Sequence, residues 1–270
     1  MTPEMARERR EQMLRDGYCV IPDILSPEFL LELRQESDHL NDTMEHHPDT
    51  KYQGTHLGIR YEDNAIMQRL AEWQPARQAL EQMRFGDFKH GGGLIVLTKE
   101  PYAPALYWHQ DWMRWNDPLS CTPWPQTIFL SYYLEETRIE NGCLKVIPGS
   151  HLKRIPLHDQ LVTAHEQGAR FIQEDHPIMF RDDPNQVDVE SEPGDLVLGD
   201  ARVLHAAYKN QTDQRRNLLL LWHSRPETIP DYWEGEIPQE VQDREPQATY
   251  PGTRIPTISP CLKYKLVGQN

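Results

Sequence analysis

A mainly β-sheet core flanked by α-helices is the fold this sequence predicts, and three observations predict it. Between residues 91 and 223 the apolar runs are short, rich in Val, Ile, Leu and aromatics, and separated by Pro, Gly, Asn and Asp, which is the punctuation of strands. No helix-length pattern alternates with these runs, so an antiparallel double sheet or jelly roll is expected rather than a parallel α/β sheet. Before residue 91 the apolar spacing is helical. The 270 residues suffice for a sizeable core. They read as a single domain in three parts: helices over about 1–90, a β core over about 91–223 and a Pro-rich extension over about 224–270.

Each element has its own signal. Residues 1–14 are rich in Glu and Arg and predict a polar helix. Gly17 then leads into the short apolar run 18–22, a strand. Ser26-Pro27-Glu28 is a helix start, with a capping hydroxyl, a proline in the first turn and an acid at the positive end of the dipole. Residues 43–64 are polar, carry Gly54 and Gly58 and predict a long loop. Helical spacing resumes over 65–83 through Ile66, Leu70, Trp73 and Leu80. Gly91-Gly92-Gly93 lacks the Lys-Ser/Thr of a phosphate loop and reads as a turn. The expected strands are 94–97, 127–134, 144–147, 187–189, 196–198 and 218–222. Beyond Ser224 seven prolines impose an extended path, and Trp233, Tyr250, Leu262, Tyr264 and Leu266 predict that it packs on the body or on a second copy.

Composition narrows the function. With 28 basic against 42 acidic residues the net charge is −14, which argues against nucleic acid as a partner. No apolar run is long enough to span a bilayer, and the first residues lack the basic-then-apolar pattern of a secretory signal. A cytoplasmic protein, monomeric or homodimeric, is expected. Its four scattered cysteines indicate no zinc knuckle and are expected to stay reduced. Without a secretory signal, Asn41-Asp-Thr43 and Asn210-Gln-Thr212 are taken as chance matches to a glycosylation acceptor.

The chemistry centres on Trp108-His109-Gln110-Asp111. On an extended strand residues i and i+2 share a face, so His109 and Asp111 can grip one metal ion with Gln110 turned away. The distant partner is His205, in a turn-and-strand segment that begins at Pro193-Gly194-Asp195 and is followed by a polar stretch and the run 218–222. A β-hairpin bent near Asn210-Gln211 would set His205 opposite Arg216, both on one face. A bend displaced by one residue would select Arg215 instead. Two imidazoles and a carboxylate on one side of an ion form the facial set of non-haem Fe(II) oxygenases. An arginine nearby suits the far carboxylate of a dicarboxylate co-substrate. His46, His47 and His56 are candidates for a second metal site, although solvated loop histidines account for them better.

Four stretches carry a family resemblance: 16–26, 108–111, the run from Glu140-Asn141-Gly142-Cys143-Leu144 to Pro148-Gly149-Ser150-His151, and Gly194-Asp195 through His205 to Arg216. Together they make the chain similar to the phytanoyl-CoA dioxygenase-like Fe(II)- and 2-oxoglutarate-dependent oxygenases. The resemblance implies a double-stranded β-helix of the jelly-roll, cupin-like type. It implies Fe(II) on His109, Asp111 and His205, and 2-oxoglutarate and O2 as co-substrates with Arg216 on the distal carboxylate. Two departures bear on the site. Ala207 stands where family members often carry Ser or Thr, so Thr98 or Ser131 is expected to supply the missing donor. Asp111 is present where related halogenases have a small residue, which favours hydroxylation or another oxidation over halogenation. Trp115 stands where related hydroxylases present an aromatic wall, so it and Arg114 are the candidate substrate contacts. The acidic composition gives no sign of a basic patch for CoA.

The expected activity is therefore oxidation of an unactivated C–H bond in a small organic molecule, with release of succinate and CO2. An amino-acid or peptide hydroxylase, and a catalytically silent iron or 2-oxoglutarate sensor, are the alternatives.

Overall fold

A computed structural model of the protein describes residues 1–161 and 171–250. Along the chain these form helix α1 (Pro3–Asp16), strand β1 (Tyr18–Ile21), helices α2 (Pro27–Thr43) and α3 (Thr50–Gln53), strand β2 (Thr55–Arg60), and helices α4 (Ala65–Ala71) and α5 (Gln74–Gln82). Strands β3 (Lys89–His90), β4 (Gly93–Lys99), β5 (Leu106–His109), β6 (Thr127–Tyr133) and β7 (Leu144–Val146) follow. Strands β8 (Val187–Val189), β9 (Leu196–Asp200), β10 (His205–Ala207) and β11 (Arg216–Ser224) and helix α6 (Gln239–Gln242) complete the order.

The strands make two antiparallel sheets. The larger runs β1-β9-β6-β11-β4-β2 with β3 paired to β11, and the smaller runs β5-β10-β7-β8. Period-two alternation sorts the side chains of the larger sheet between two layers. Ile128, Leu130, Tyr132, Leu219 and Leu221 pack beneath the helices. Phe129, Tyr133, Leu218, Leu220 and Trp222 turn toward the smaller sheet.

The helix starts follow their caps. Ser26 Oγ accepts from the Phe29 amide at 3.2 Å and Asn64 Oδ1 from Ile66 and Met67 at 3.1 Å. Helix α1 stops at Gly17, whose φ of +86° lets its amide bond back to Met13 O.

The structure revises several expectations. The single helix over 65–83 is two helices, because Pro75 falls in the first turn of α5 and cannot continue α4. The loop over 43–64 contains α3 and β2, the latter an edge strand paired to β4. β10 and β11 do not form a hairpin: β10 pairs with β5 and β7 in the smaller sheet, and β11 with β4, β6 and β3 in the larger. Cys19 and Cys143 are buried free thiols, whereas Cys121 is disulfide-bonded, against the expectation that all four stay reduced. Asn41 and Asn210 are both buried and hydrogen-bonded, so neither acceptor is accessible. Of the extension, Trp233 packs on Trp124 and Leu14. Leu262, Tyr264 and Leu266 lie outside the described residues.

Candidate metal centre

The register of β5 on β10 sets His109 directly opposite His205. Their ring centroids are 4.1 Å apart. Asp111 follows β5, with its amide held by Ala201 O at 2.8 Å. Its Oδ1 lies 3.6 Å from His109 Nε2 and 3.9 Å from His205 Nε2. The three ligand atoms all lie within 4.8 Å of one another, the only such group of His, Cys, Asp or Glu among the described residues. His46, His47 and His56 are not part of it.

The opposite side of each ligand is already committed. Nδ1–H of His109 donates to Tyr107 O at 2.8 Å, and Nδ1–H of His205 to Val203 O at 3.0 Å. Each ring therefore presents Nε2 to the centre. Asp111 Oδ2 accepts from Trp222 Nε1 at 2.8 Å. Convergent N, N and O atoms, oriented by bonds behind them, are the donor set of a non-haem Fe(II) site.

A buried ion pair braces this arrangement. Arg202 donates to Asp200 Oδ1 at 2.9 Å and Oδ2 at 2.6 Å, and to the carbonyls of Ser120, Thr122 and Trp124. The same segment supplies Ala201 O to Asp111 and Val203 O to His205. Gln110 turns away from the metal side, as the alternation predicted, and donates to Arg202 O at 2.5 Å.

The cavity over the ligands extends between the sheets, with Leu97, Leu106, Phe129, Leu144, Leu218 and Leu220 as apolar walls. At one end Arg216 and Lys99 stand directly opposite each other on β11 and β4. Both are buried. Arg216 donates to Gly142 O at 2.7 Å, while its Nε has no partner among the described residues. Lys99 donates to Pro104 O. Burial, and then the Arg216 charge, push the Lys99 ammonium well below the ordinary lysine range. Tyr133 flanks the pair, its ring centroid 5.9 Å from the guanidinium carbon. Gly142 (φ +95°) closes this end, where a Cβ would meet Lys99 Cδ at 2.5 Å.

Arg216 thus shares the cavity with His205 from the facing sheet, not across a hairpin. Arg215 points elsewhere, into Asp38, Asp42 and Glu100. Ser131 and Ala207 line the cavity as expected. Thr98 lines it too, but its hydroxyl donates to Asn217 and accepts from Asn41 of α2. It is one residue out of phase with Leu97 and Lys99. Two further expectations are corrected. Trp115 is packed with Trp112, Leu119 and Ala201 and does not line the cavity. Arg114 is held by Asp117 and Glu227 and does not reach it. His151 has the local role of binding Leu14 O. Lys99, Tyr133 and Gln53 also line the cavity and were not anticipated, and His56, a candidate for a second metal site, lines it as well. The signal for Lys99 was its even spacing from Leu97.

Fold and site together define a non-haem Fe(II)- and 2-oxoglutarate-dependent dioxygenase. The family model described as phytanoyl-CoA dioxygenase (PhyH) matches residues 13–218, and the chain belongs to that family. It is similar to an ectoine dioxygenase of Nocardia farcinica, 23% identical over 87% of this chain and 84% of that protein. A phytanoyl-CoA dioxygenase 1 of Oryza sativa subsp. japonica is 34% identical over 42% of this chain, a match spanning only 36% of the rice protein. Among solved structures, the α-ketoglutarate-dependent epimerase SnoN from nogalamycin biosynthesis superposes with a TM-score of 0.62 at 21% identity, covering 93% of both chains. The iron-bound EctD of S. alaskensis gives 0.58 at 21% identity, covering 83% of this chain and 77% of that one.

Proposed function

We propose that this protein hydroxylates an unactivated C–H bond of a small, largely apolar organic molecule in the cytoplasm. The whole chain would act as one domain built on a double-stranded β-helix. His109, Asp111 and His205 hold the Fe(II). Arg216 and Lys99 hold the distal carboxylate of 2-oxoglutarate, with Ser131 and Tyr133 beside them. Bound there, the metal and 2-oxoglutarate supply the oxidising chemistry, consuming O2 and releasing succinate and CO2. The leucine and phenylalanine walls exclude water and position the target bond.

The observation that carries the reading is the Lys99–Arg216 pair. Like charges directly opposite in a ladder are destabilising, and burying them adds desolvation. An arginine and a lysine buried face to face beside a His-Asp-His centre are explained by an anion that binds between them and the metal and favours the charged form of the lysine. Arg114, on which an amino-acid or peptide substrate was expected to rely, is paired with Asp117 and Glu227, which weighs against that alternative.

Anaerobic titration of the apoprotein with Fe(II) and 2-oxoglutarate tests the site through the weak visible charge-transfer band of the chelate. Slow substrate-free release of succinate under air separates an enzyme from a silent sensor. No band from folded protein would sink the reading, and a band without any succinate would favour the sensor.

A further inference from the structure

Asp111 divides its two oxygens between two tasks. Oδ1 faces the Nε2 atoms of both histidines, at 3.6 and 3.9 Å. Oδ2 accepts a hydrogen bond from the indole N–H of Trp222 at 2.8 Å. We propose that Trp222 is a positioning residue, which holds Oδ2 so that Asp111 meets the metal through Oδ1 alone. The inference rests on the metal reading above and goes beyond it.

The topology makes the contact specific. Along β11 Arg216, Leu218 and Leu220 line the cavity, and Trp222, two residues further on, packs into the same layer between the sheets. The strand therefore runs from the anion end of the site to the metal carboxylate. Trp222 lies opposite Phe129 in the ladder with β6, and the Phe129 ring is 5.1 Å from that of His205. One strand pair thus brings Phe129 to a histidine ligand and Trp222 to the aspartate ligand. A wall residue needs no donor, as Leu218 and Leu220 show. The indole spends its one polar atom on a ligand oxygen that would otherwise be available to the metal.

A carboxylate can bind a metal through one oxygen or both. Three single protein donors leave one face of the ion open for the co-substrate, whereas a two-oxygen aspartate takes a position from that face. A charge-assisted N–H bond to Oδ2 opposes that rotation. Removing such outer-layer partners typically costs about 10–100-fold in metal affinity or activity.

The test uses Co(II) in place of iron, because its d–d absorption reports coordination number and geometry. Trp222→Phe keeps an aromatic ring and loses the donor; Trp222→Gln restores an N–H of similar reach. In folded W222F the Co(II) bands should change, and 2-oxoglutarate affinity of the Co(II) form should fall on the order of 10-fold. W222Q should recover most of both. Bands and affinity unchanged in W222F, or unrecovered in W222Q, would overturn the proposal. If W222F does not fold, W222Q alone decides: wild-type behaviour supports it and altered behaviour overturns it. Wild-type protein that takes up no Co(II) would remove the metal reading and the proposal together, whereas normal uptake with an indifferent W222F removes only the proposal.

Discussion

His109 and His205 are direct cross-strand neighbours, and each donates Nδ1–H to the carbonyl two residues before it, Tyr107 and Val203 respectively. The same local bond used twice fixes both tautomers before any metal arrives. His205→Ala removes one ligand and leaves the ladder intact, since β10 pairs through its backbone. The expected result is a folded protein with no charge-transfer band on adding Fe(II) and 2-oxoglutarate. A band of wild-type intensity in this variant would place the metal elsewhere.

Lys99→Met should act in opposite directions on stability and binding. It removes a buried amine that faces Arg216 and whose charged form burial disfavours, so the apoprotein should gain up to about 1 kcal/mol. The affinity for 2-oxoglutarate should fall at least about 10-fold, the loss of one charge-assisted contact. Denaturant unfolding and co-substrate titration measure the two effects. A variant that is less stable and binds normally would show that the lysine is structural.

Asp200→Ala would strand the Arg202 guanidinium, which is 1% exposed. Breaking a buried pair on one side typically costs about 3–5 kcal/mol. Chemical denaturation should show that loss, and metal affinity should fall with it, because the same segment supports Asp111 and His205. A change below about 1 kcal/mol would contradict this account.

Gly199 lies against an aromatic ring: a Cβ there would stand 1.9 Å from Phe129 Cζ. Neither strand can retreat, since β9 and β6 are paired through Gly199 and Phe129 themselves. Gly199→Ala should cost about 1–3 kcal/mol by overpacking. It should also press the Phe129 ring toward His205. Adding Phe129→Leu to it should restore part of the stability. A neutral single variant would be the contrary result.

Acid should unfold the protein over a defined range. Burial pushes His151, His158 and His223 down to about 4. Each is neutral in the fold, so the unfolded chain binds more protons below its ordinary value near 6.5. Their contribution is whole above that value and is lost as pH falls toward 4. Glu135 works against them: burial raises it to about 7, so its contribution is lost as pH rises through 7. Three histidines against one carboxyl give a melting temperature that drops between pH 6.5 and 4. A flat profile there would show that these rings are already protonated in the fold.

Much of the core and part of the candidate metal centre could be read from the chain because the signals are local. The i, i+2 spacing of His109 and Asp111 and the apolar runs of the central strands need no knowledge of distant contacts. Arg216 was found through a pairing that does not exist. The stretch before it crosses from one sheet to the other, because Asn210 ties its amide to the carbonyls of Lys99, Glu100 and Gln214. A single side chain bonding that distant segment leaves no periodic trace. β2 was missed because one of its two rows is His56, Gly58 and Arg60, residues that read as loop, although Thr55, Leu57 and Ile59 alternate with them. Lys99 was missed because a lysine on a strand ordinarily faces water. Trp115 shows the converse, since distance along the chain from a ligand cannot tell a pocket wall from packed core.

The opposed Lys99 and Arg216 give the co-substrate a second standing. On the proposed reading, a dicarboxylate settling between them would supply negative charge where two basic side chains face each other, so 2-oxoglutarate would ease the protein's own charge balance as well as serve its reaction. A ligand bound only by the folded form raises its population in proportion to supply. The amount of folded protein would then rise with the pool of the metabolite it consumes.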